Sequence, residues 1–323
     1  MITKNNSLTS VIGIDVGKTK IQIGIVSEFG KIFHKKYYKM NSDSQEKSIE
    51  CIHNSLCNFV DQYAGFNVSA VGVGLVGHVD PDKGIWQSAI NIPIFKSVPL
   101  AEMIHEKIKL PVFLDNDVNS ATLAEMQWGV GQKSGDFIYL NVGTGIAMGI
   151  VSNSQLYRGV ANYAGEAGKM LINSCIGGYH DLETVSSGGG MITQAVDGFH
   201  LYPTSVLSEL QKRNKLNSST IFQAADNGDK LAKIVSEQAI EGLGIGTTNI
   251  LNLFNPEHIV FGGGVFNHKA VISKIKQFVD DYALPVTKKN LKSVRVTELN
   301  HNNVGLLGAA SVALKNVESY VRE

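Results

Sequence analysis

The stretch Pro111-Val112-Phe113-Leu114-Asp115-Asn116-Asp117-Val118-Asn119-Ser120-Ala121-Thr122-Leu123-Ala124-Glu125 decides how the chain is read. Val112 to Leu114 is a short apolar run, the pattern of a buried strand. It leads into the polar cluster Asp115, Asn116, Asp117 and Asn119. A helix then follows, with Asn119 or Ser120 as its cap and Ala121, Leu123 and Ala124 inside it. Polar groups at the carboxyl end of a buried strand stand where open α/β sheets bind ligands. Asp117 is therefore the candidate general base. The competing reading gives these side chains only turn-closing and capping work.

Upstream, Val11 to Val16 reads as a buried strand ending in Asp15-Val16-Gly17-Lys18-Thr19-Lys20. A second strand returns through Ile21, Ile23, Ile25 and Val26, and a third runs from Lys31 to Lys39. Ser44 to Tyr63 is an amphipathic helix with Ile49, Ile52, Leu56, Phe59 and Val60 on one stripe. Ala70 to Leu75 is the next strand, and Pro99 to Lys109 a helix. Downstream, Phe137 to Val142 is a strand ending at Gly143-Thr144-Gly145, and Ile146 to Val151 returns. Here the chain repeats itself. Ile12-Gly-Ile-Asp-Val-Gly…Ile23-Gly-Ile-Val-Ser27 matches Ile138-Tyr-Leu-Asn-Val-Gly…Met148-Gly-Ile-Val-Ser152. The repeat predicts two related lobes: residues 1–118 with 303–323, and residues 119–302.

The remainder is less regular. Arg158 to Gly190 is glycine-rich and reads as a long functional loop. Leu231 to Phe254 is a long helix despite Gly242, Gly244 and Gly246, each of which costs ~1 kcal/mol against alanine. Their spacing predicts close approach by another backbone or a ligand. Asn255-Pro256 stops that helix, and Ile259 to Phe261 is a strand opening onto Gly262-Gly263-Gly264. Val271 to Tyr282 is a helix, Val294 to Thr297 a strand, and the last helix begins at Val304.

Bulk composition narrows the function classes. The 323 residues are 43% hydrophobic and 18% charged, ordinary for a globular enzyme. Basic and acidic residues balance at 29 each, which argues against a nucleic-acid partner. No apolar run reaches membrane-spanning length, and Met1 to Ser10 lacks a signal-peptide core. Cys51, Cys57 and Cys175 are few and odd in number, as expected in a reducing cytoplasm.

Three strands end in glycine turns: Gly17 to Thr19, Gly143 to Gly145 and Gly262 to Gly264. Glycine lets backbone N–H groups converge on an anion with no Cβ in the way. Thr19 and Thr144 add hydroxyls. Asp15 can hold a magnesium ion through water, as hard oxygen ligands do. The first turn lacks the leading glycine of a Walker loop, and the third lacks dinucleotide-fold spacing.

Together these blocks resemble the sugar kinase/actin/Hsp70 fold, and within it the ROK family (repressors, open reading frames, kinases), from about residue 11 to 314. The family's D-x-G-G-T-K appears as Asp15-Val16-Gly17-Lys18-Thr19-Lys20, and its N-D-A-N…E as Asn116-Asp117-Val118-Asn119…Glu125. Its G-T-G is Gly143-Thr144-Gly145, and its A-G-E-x-G-H is Ala164-Gly165-Glu166-Ala167-Gly168-Lys169. Its C-L-E is Asp181-Leu182-Glu183, its triple glycine Gly262 to Gly264, and its closing G-A-A Gly308-Ala309-Ala310.

The resemblance implies an α/β, two-lobed, actin-like and ribonuclease-H-like ATPase fold with a central mixed sheet in each lobe. It implies an ATP-dependent sugar kinase acting on a hydroxyl, the 6-hydroxyl first, of a glucose-like hexose, N-acylhexosamine or β-glucoside. Asp117 would be the base, and Asn91, Asn116, Glu166, Lys169 and Glu183 would meet the sugar. Asp15, Gly17, Lys18, Thr19, Lys20, the Gly143 turn and the Gly262 turn would serve ATP and Mg2+. A ligand cleft between the lobes that closes on sugar, and a homodimer, are implied by the same likeness.

Three departures stand out. The family's zinc site uses the histidine of G-E-x-G-H and three cysteines before C-L-E. Here those positions hold Lys169, Ser174, Ile176 and Asp181. Four zinc ligands cannot be assembled from them, so no structural zinc is expected. Lys169 is expected to pair with Glu166 or Glu183. Lys18 replaces a glycine, which predicts either backbone strain or a different turn. These departures sustain an alternative, a catalytically weak sugar-sensing protein acting through a protein partner. The family's repressors carry many tens of residues ahead of this region, and only ten precede the first strand here, so DNA binding is not expected.

Overall fold

The computed structural model describes residues 9–89, 92–173 and 178–320, with side chains as far as 317. The chain divides into two compact units: Met1–Gln132 with Gly159–Tyr163 and Leu299–Glu323, and Lys133–Arg158 with Ala164–Glu298. The division after Gln132 corrects the boundary placed after residue 118. The helix that follows Asn116 packs on the C-terminal helix. A Cβ added to Gly308 would lie 2.7 Å from the Ser120 carbonyl carbon. That close packing keeps the helix with the first unit.

The first unit contains β1 (Ser10–Val16), β2 (Lys20–Ser27), β3 (Ile32–Lys39), α1 (Gln45–Gln62), β4 (Val71–Leu75), β5 (His78–Asp80), β6 (Ile85–Ser88), α2 (Leu100–Ile108), β7 (Val112–Asn116) and α3 (Asp117–Trp128). Its sheet runs β3-β2-β1-β4-β7. The first two pairings are antiparallel and the last two parallel. Apolar runs at β1, β2 and β4 are buried nearly throughout, as strands covered on both faces must be. On α1 the stripe delivers Ile52, Leu56 and Phe59 to the core, and the Ser44 hydroxyl accepts from Lys47 N at 3.2 Å as its cap.

The second unit contains β8 (Phe137–Val142), β9 (Ile146–Ser152), β10 (Gln155–Tyr157), β11 (Leu171–Asn173), β12 (Tyr179–Asp181), α4 (Leu182–Ser186), α5 (Gly188–Gly198), α6 (Val206–Lys212), α7 (Ser218–Asp226), α8 (Lys230–Phe254), β13 (His258–Gly262), α9 (Ala270–Tyr282), α10 (Pro285–Asn290) and β14 (Ser293–Val296). Its sheet runs β10-β9-β8-β13-β14, with the same antiparallel half and parallel half. The sequence repeat reappears as matched register. Ile14 faces Ile23 in one hairpin, and Leu140 faces Met148 in the other.

The chain then returns to the first unit through α11 (Val304–Tyr320), which lies across β1 and β4. Glycine admits it. A Cβ on Gly13 would stand 2.7 Å from Leu306 O, and one on Gly72 would overlap Ala309 O.

Two expectations need correction. Gly242, Gly244 and Gly246 of α8 make room for side chains of neighbouring helices, Ser186, Phe278 and Leu182, rather than for a backbone or ligand. Arg158 to Gly190 is not one long loop. It holds the β11–β12 hairpin, α4 and the start of α5.

Candidate active site

In the first unit the candidate carboxylates lie at the carboxyl ends of two strands with β4 between them. Asp15 is the sixth residue of β1, and Asp117 follows β7 as the first residue of α3. The cap of α3 is Asn116, not Asn119 or Ser120. Its side-chain oxygen accepts from Val118 N at 2.9 Å and Asn119 N at 3.3 Å. Its Nδ2 donates to Gly77 O at 2.8 Å. Both lone pairs of the Asn116 amide oxygen are thus engaged, and the amide nitrogen serves Gly77 O and the Asp117 carboxylate. Asp117 lies inside the helix, so the capping explanation of its presence passes to its neighbour.

Burial and the adjacent charge of Asp15 raise the Asp117 pKa to about 7. Hydrogen bonds from Val118 N, its own N–H and the Asn116 side chain oppose the rise without cancelling it. Burial likewise lifts Asp15 to about 6, with the Lys20 ammonium pulling the other way. The C-terminal helix adds to this enclosure, because a Cβ on Gly305 would overlap the Asp15 carboxylate. Two carboxyls that repel one another in a desolvated site push a proton affinity toward neutrality.

The hairpin turn beside Asp15 is closed by Gly17 N donating to Lys20 O at 2.9 Å. Neither Gly17, Lys18 nor Thr19 adopts positive φ. Lys18 therefore occupies the family's glycine position without strain, and its side chain is exposed at the tip with those of Thr19 and Lys20.

In the second unit the other two glycine turns meet. Gly263, at φ 92°, has its backbone against Val142 and Gly143, where a Cβ would overlap Val142 O. The Gly143 turn is tied down from behind by the first turn of α5. Gly188 N donates to Gly143 O at 2.8 Å and Gly189 N to Thr144 O at 3.1 Å. This supporting role of Gly188 and Gly189 was not anticipated from the sequence, because nothing in an isolated glycine run says which carbonyls it will meet.

Glu166 and Lys169 border a short 3-10 turn, and Glu183 is in the first turn of α4. The Glu166 side chain is exposed. Lys169 does not pair with it. Its ammonium lies 3.1 Å from Glu183 Oε1 and 3.4 Å from Asp181 Oδ2. The hydrogen bond and charge of Glu183 raise the Lys169 pKa. Glu183 Oε2 accepts from Ile146 N at 2.8 Å, beside the Gly143 turn. Asp181, noted only as a lost cysteine position, is thus a partner in the site. Asn91 lies outside the described residues.

The residues at the family's zinc positions do not fit that metal. The ammonium of Lys169 has no lone pair to give, and it is directed at two carboxylates. Among the described residues, no group of three or more His, Cys, Asp or Glu side chains is placed to hold a metal ion. Nor is any described helix long and apolar enough to cross a membrane.

Residues 11–316 match the ROK family. The chain belongs to the ROK family. It is 31% identical to a glucokinase of Halalkalibacterium halodurans, over 92% of each chain. It is also 27% identical to the xylose repressor of Caldicellulosiruptor bescii, over 99% of this chain and 82% of the repressor. Among solved structures, a ROK glucokinase from Streptomyces griseus in complex with glucose and AMPPNP aligns with TM-score 0.77 and 27% identity, covering 95% of this chain and 99% of that one. The fold is that of the actin-like ATPases, as the matched sheets of the two units already indicated. ROK membership alone spans kinases and repressors.

Proposed function

We propose that the protein is an ATP-dependent sugar kinase that phosphorylates a hydroxyl, the 6-hydroxyl first, of a glucose-like hexose, N-acylhexosamine or β-glucoside. One observation carries the reading. Asp117 presents a carboxylate whose pKa of about 7 suits a base working near neutral pH. Phosphoryl transfer requires positioning and charge stabilisation more than covalent help from the protein.

In this reading Asp117 takes the proton of the attacking hydroxyl. Glu166 and Glu183 accept from neighbouring sugar hydroxyls, Lys169 donates from beside them, and Asn116 meets the sugar next to Asp117. Asn91 is assigned to the sugar by family likeness alone. Backbone N–H groups of the Gly17 and Gly143 turns, with Lys18, Thr19, Lys20, Thr144 and Gly145, serve the phosphates, and the Gly262 to Gly264 turn serves the nucleoside. Asp15 fits a water-bridged magnesium, since it is a hard oxygen donor with one opposing ammonium nearby. When bound, that ion would supply charge neutralisation on the phosphates. A cytoplasmic homodimer with no nucleic-acid or membrane partner completes the reading.

The xylose repressor among the relatives supports a second reading, a sugar-sensing protein with weak or no turnover. A coupled ADP-release screen over hexoses, N-acylhexosamines and disaccharides separates the two. Turnover on at least one sugar is expected. Sugar binding without turnover on any of them would favour the sensor.

A further inference from the structure

Glu183 is restrained at both oxygens. Oε2 accepts from Ile146 N at 2.8 Å, and Oε1 meets the Lys169 ammonium at 3.1 Å. The space around it is built for this pose. A Cβ on Gly145 would stand 2.5 Å from Glu183 Oε2, and one on Gly168 would stand 3.2 Å from its Cβ. Lys169 is itself anchored by Asp181 Oδ2 at 3.4 Å. Asp181 ends β12, where it pairs with Leu171, and Leu182 N donates to Met170 O at 2.9 Å. One ammonium therefore joins the 3-10 turn to the end of the hairpin and the start of α4. It also separates two carboxylates that would otherwise repel across the same space.

Lys169 and Asp181 stand at two of the four positions of the family's zinc ligands, and the Lys169 ammonium has no lone pair with which to ligate zinc. We propose that Lys169 is a positioning residue. Its ionic cross-link to Asp181 and Glu183 fixes the Glu183 carboxylate against the Ile146 amide, and it does so in place of a metal. The inference rests on the proposed kinase reading only in what Glu183 is held for, namely a sugar hydroxyl. The cross-link itself is a claim about the fold.

Lys169→Met removes the charge and keeps most of the stem, and Lys169→Arg keeps the charge. The protein is labelled with 15N-isoleucine, and exchange of the Ile146 amide is followed in parent and variants. Steady-state kinetics with D-glucose, ATP and magnesium run alongside, and bound zinc is measured by elemental analysis. Because the pair is partly exposed, the expected effect is about threefold to tenfold. In Lys169→Met the Ile146 amide exchanges faster by that factor and KM for glucose rises by that factor. The value of kcat and KM for ATP change far less, and Lys169→Arg restores both readouts.

An unchanged Ile146 amide in Lys169→Met overturns the proposal whatever the kinetics show, as does one zinc per chain in the parent. A parent that turns over no sugar, with Ile146 still responding to Lys169→Met and rescued by Arg, overturns the kinase reading and leaves the cross-link standing.

Discussion

Burial, and after it the charge of nearby Asp15, leaves Asp117 with a pKa of about 7. Two consequences follow at this scale. The unprotonated form is the base, so kcat/KM should rise with pH through a limb near 7 and level above it. A profile flat from pH 5.5 to 8.5 would remove Asp117 from that role. The second consequence concerns stability. A carboxyl raised above its unfolded value of 3.8 keeps the native state more protonated than the unfolded chain in the interval between. Native stability therefore declines as pH rises from about 4 to about 7. Asp117→Asn removes this liability. Its melting temperature should exceed the parent's above pH 7, with the excess shrinking as pH falls toward 4. A variant less stable than the parent at pH 8 would contradict the assigned burial.

At the scale of elements, glycine decides how closely α11 approaches the first sheet. Gly72→Ala would drive a Cβ into the Ala309 carbonyl, which is backbone and cannot swing away. A cost of roughly 1–3 kcal/mol or more is expected, read as a lower melting temperature. Gly65→Ala, where nothing lies within 4 Å, serves as the control and should be nearly silent. Equal behaviour of the two would refute the close packing. The sequence announced these elements well where hydrophobic periodicity was long. The apolar runs at Val11, Ala70 and Phe137 became β1, β4 and β8 nearly residue for residue. It misplaced the cap of α3, because Asp115, Asn116, Asp117, Asn119 and Ser120 are all residue types that cap and only the strand's end selects Asn116. It missed the β11–β12 hairpin, whose three-residue strands are too short to show a period.

Across the whole molecule, the repeated hairpin was legible because both copies carry the same apolar spacing, and it reappears as one strand order used twice. The extent of each unit was not legible. The attachment of α3 to α11 is a contact between residues almost two hundred positions apart, which no local pattern encodes. Likewise the side chains at 169 and 181 announced the loss of zinc ligands, and Glu183 was one of the two partners expected for Lys169, yet the second ion pair, to Asp181, was not foreseen. Prolonged dialysis against EDTA should leave the melting temperature of the protein unchanged, while turnover should still require added magnesium. A melting temperature that falls on chelation and recovers with zinc would show a structural metal site that the donor set argues against.

The most direct measurement is the single-turnover rate of Asp117→Asn beside its sugar affinity. The amide keeps the shape of the side chain but cannot accept the hydroxyl proton at neutral pH. The cap of α3 belongs to Asn116 and is untouched by the change. The rate should fall by ~10²–10⁴-fold, the usual contribution of a general base, with the dissociation constant for sugar within a few-fold of the parent's. A variant that transfers the phosphoryl group within a few-fold of the parent rate would contradict the assignment of Asp117 as the base.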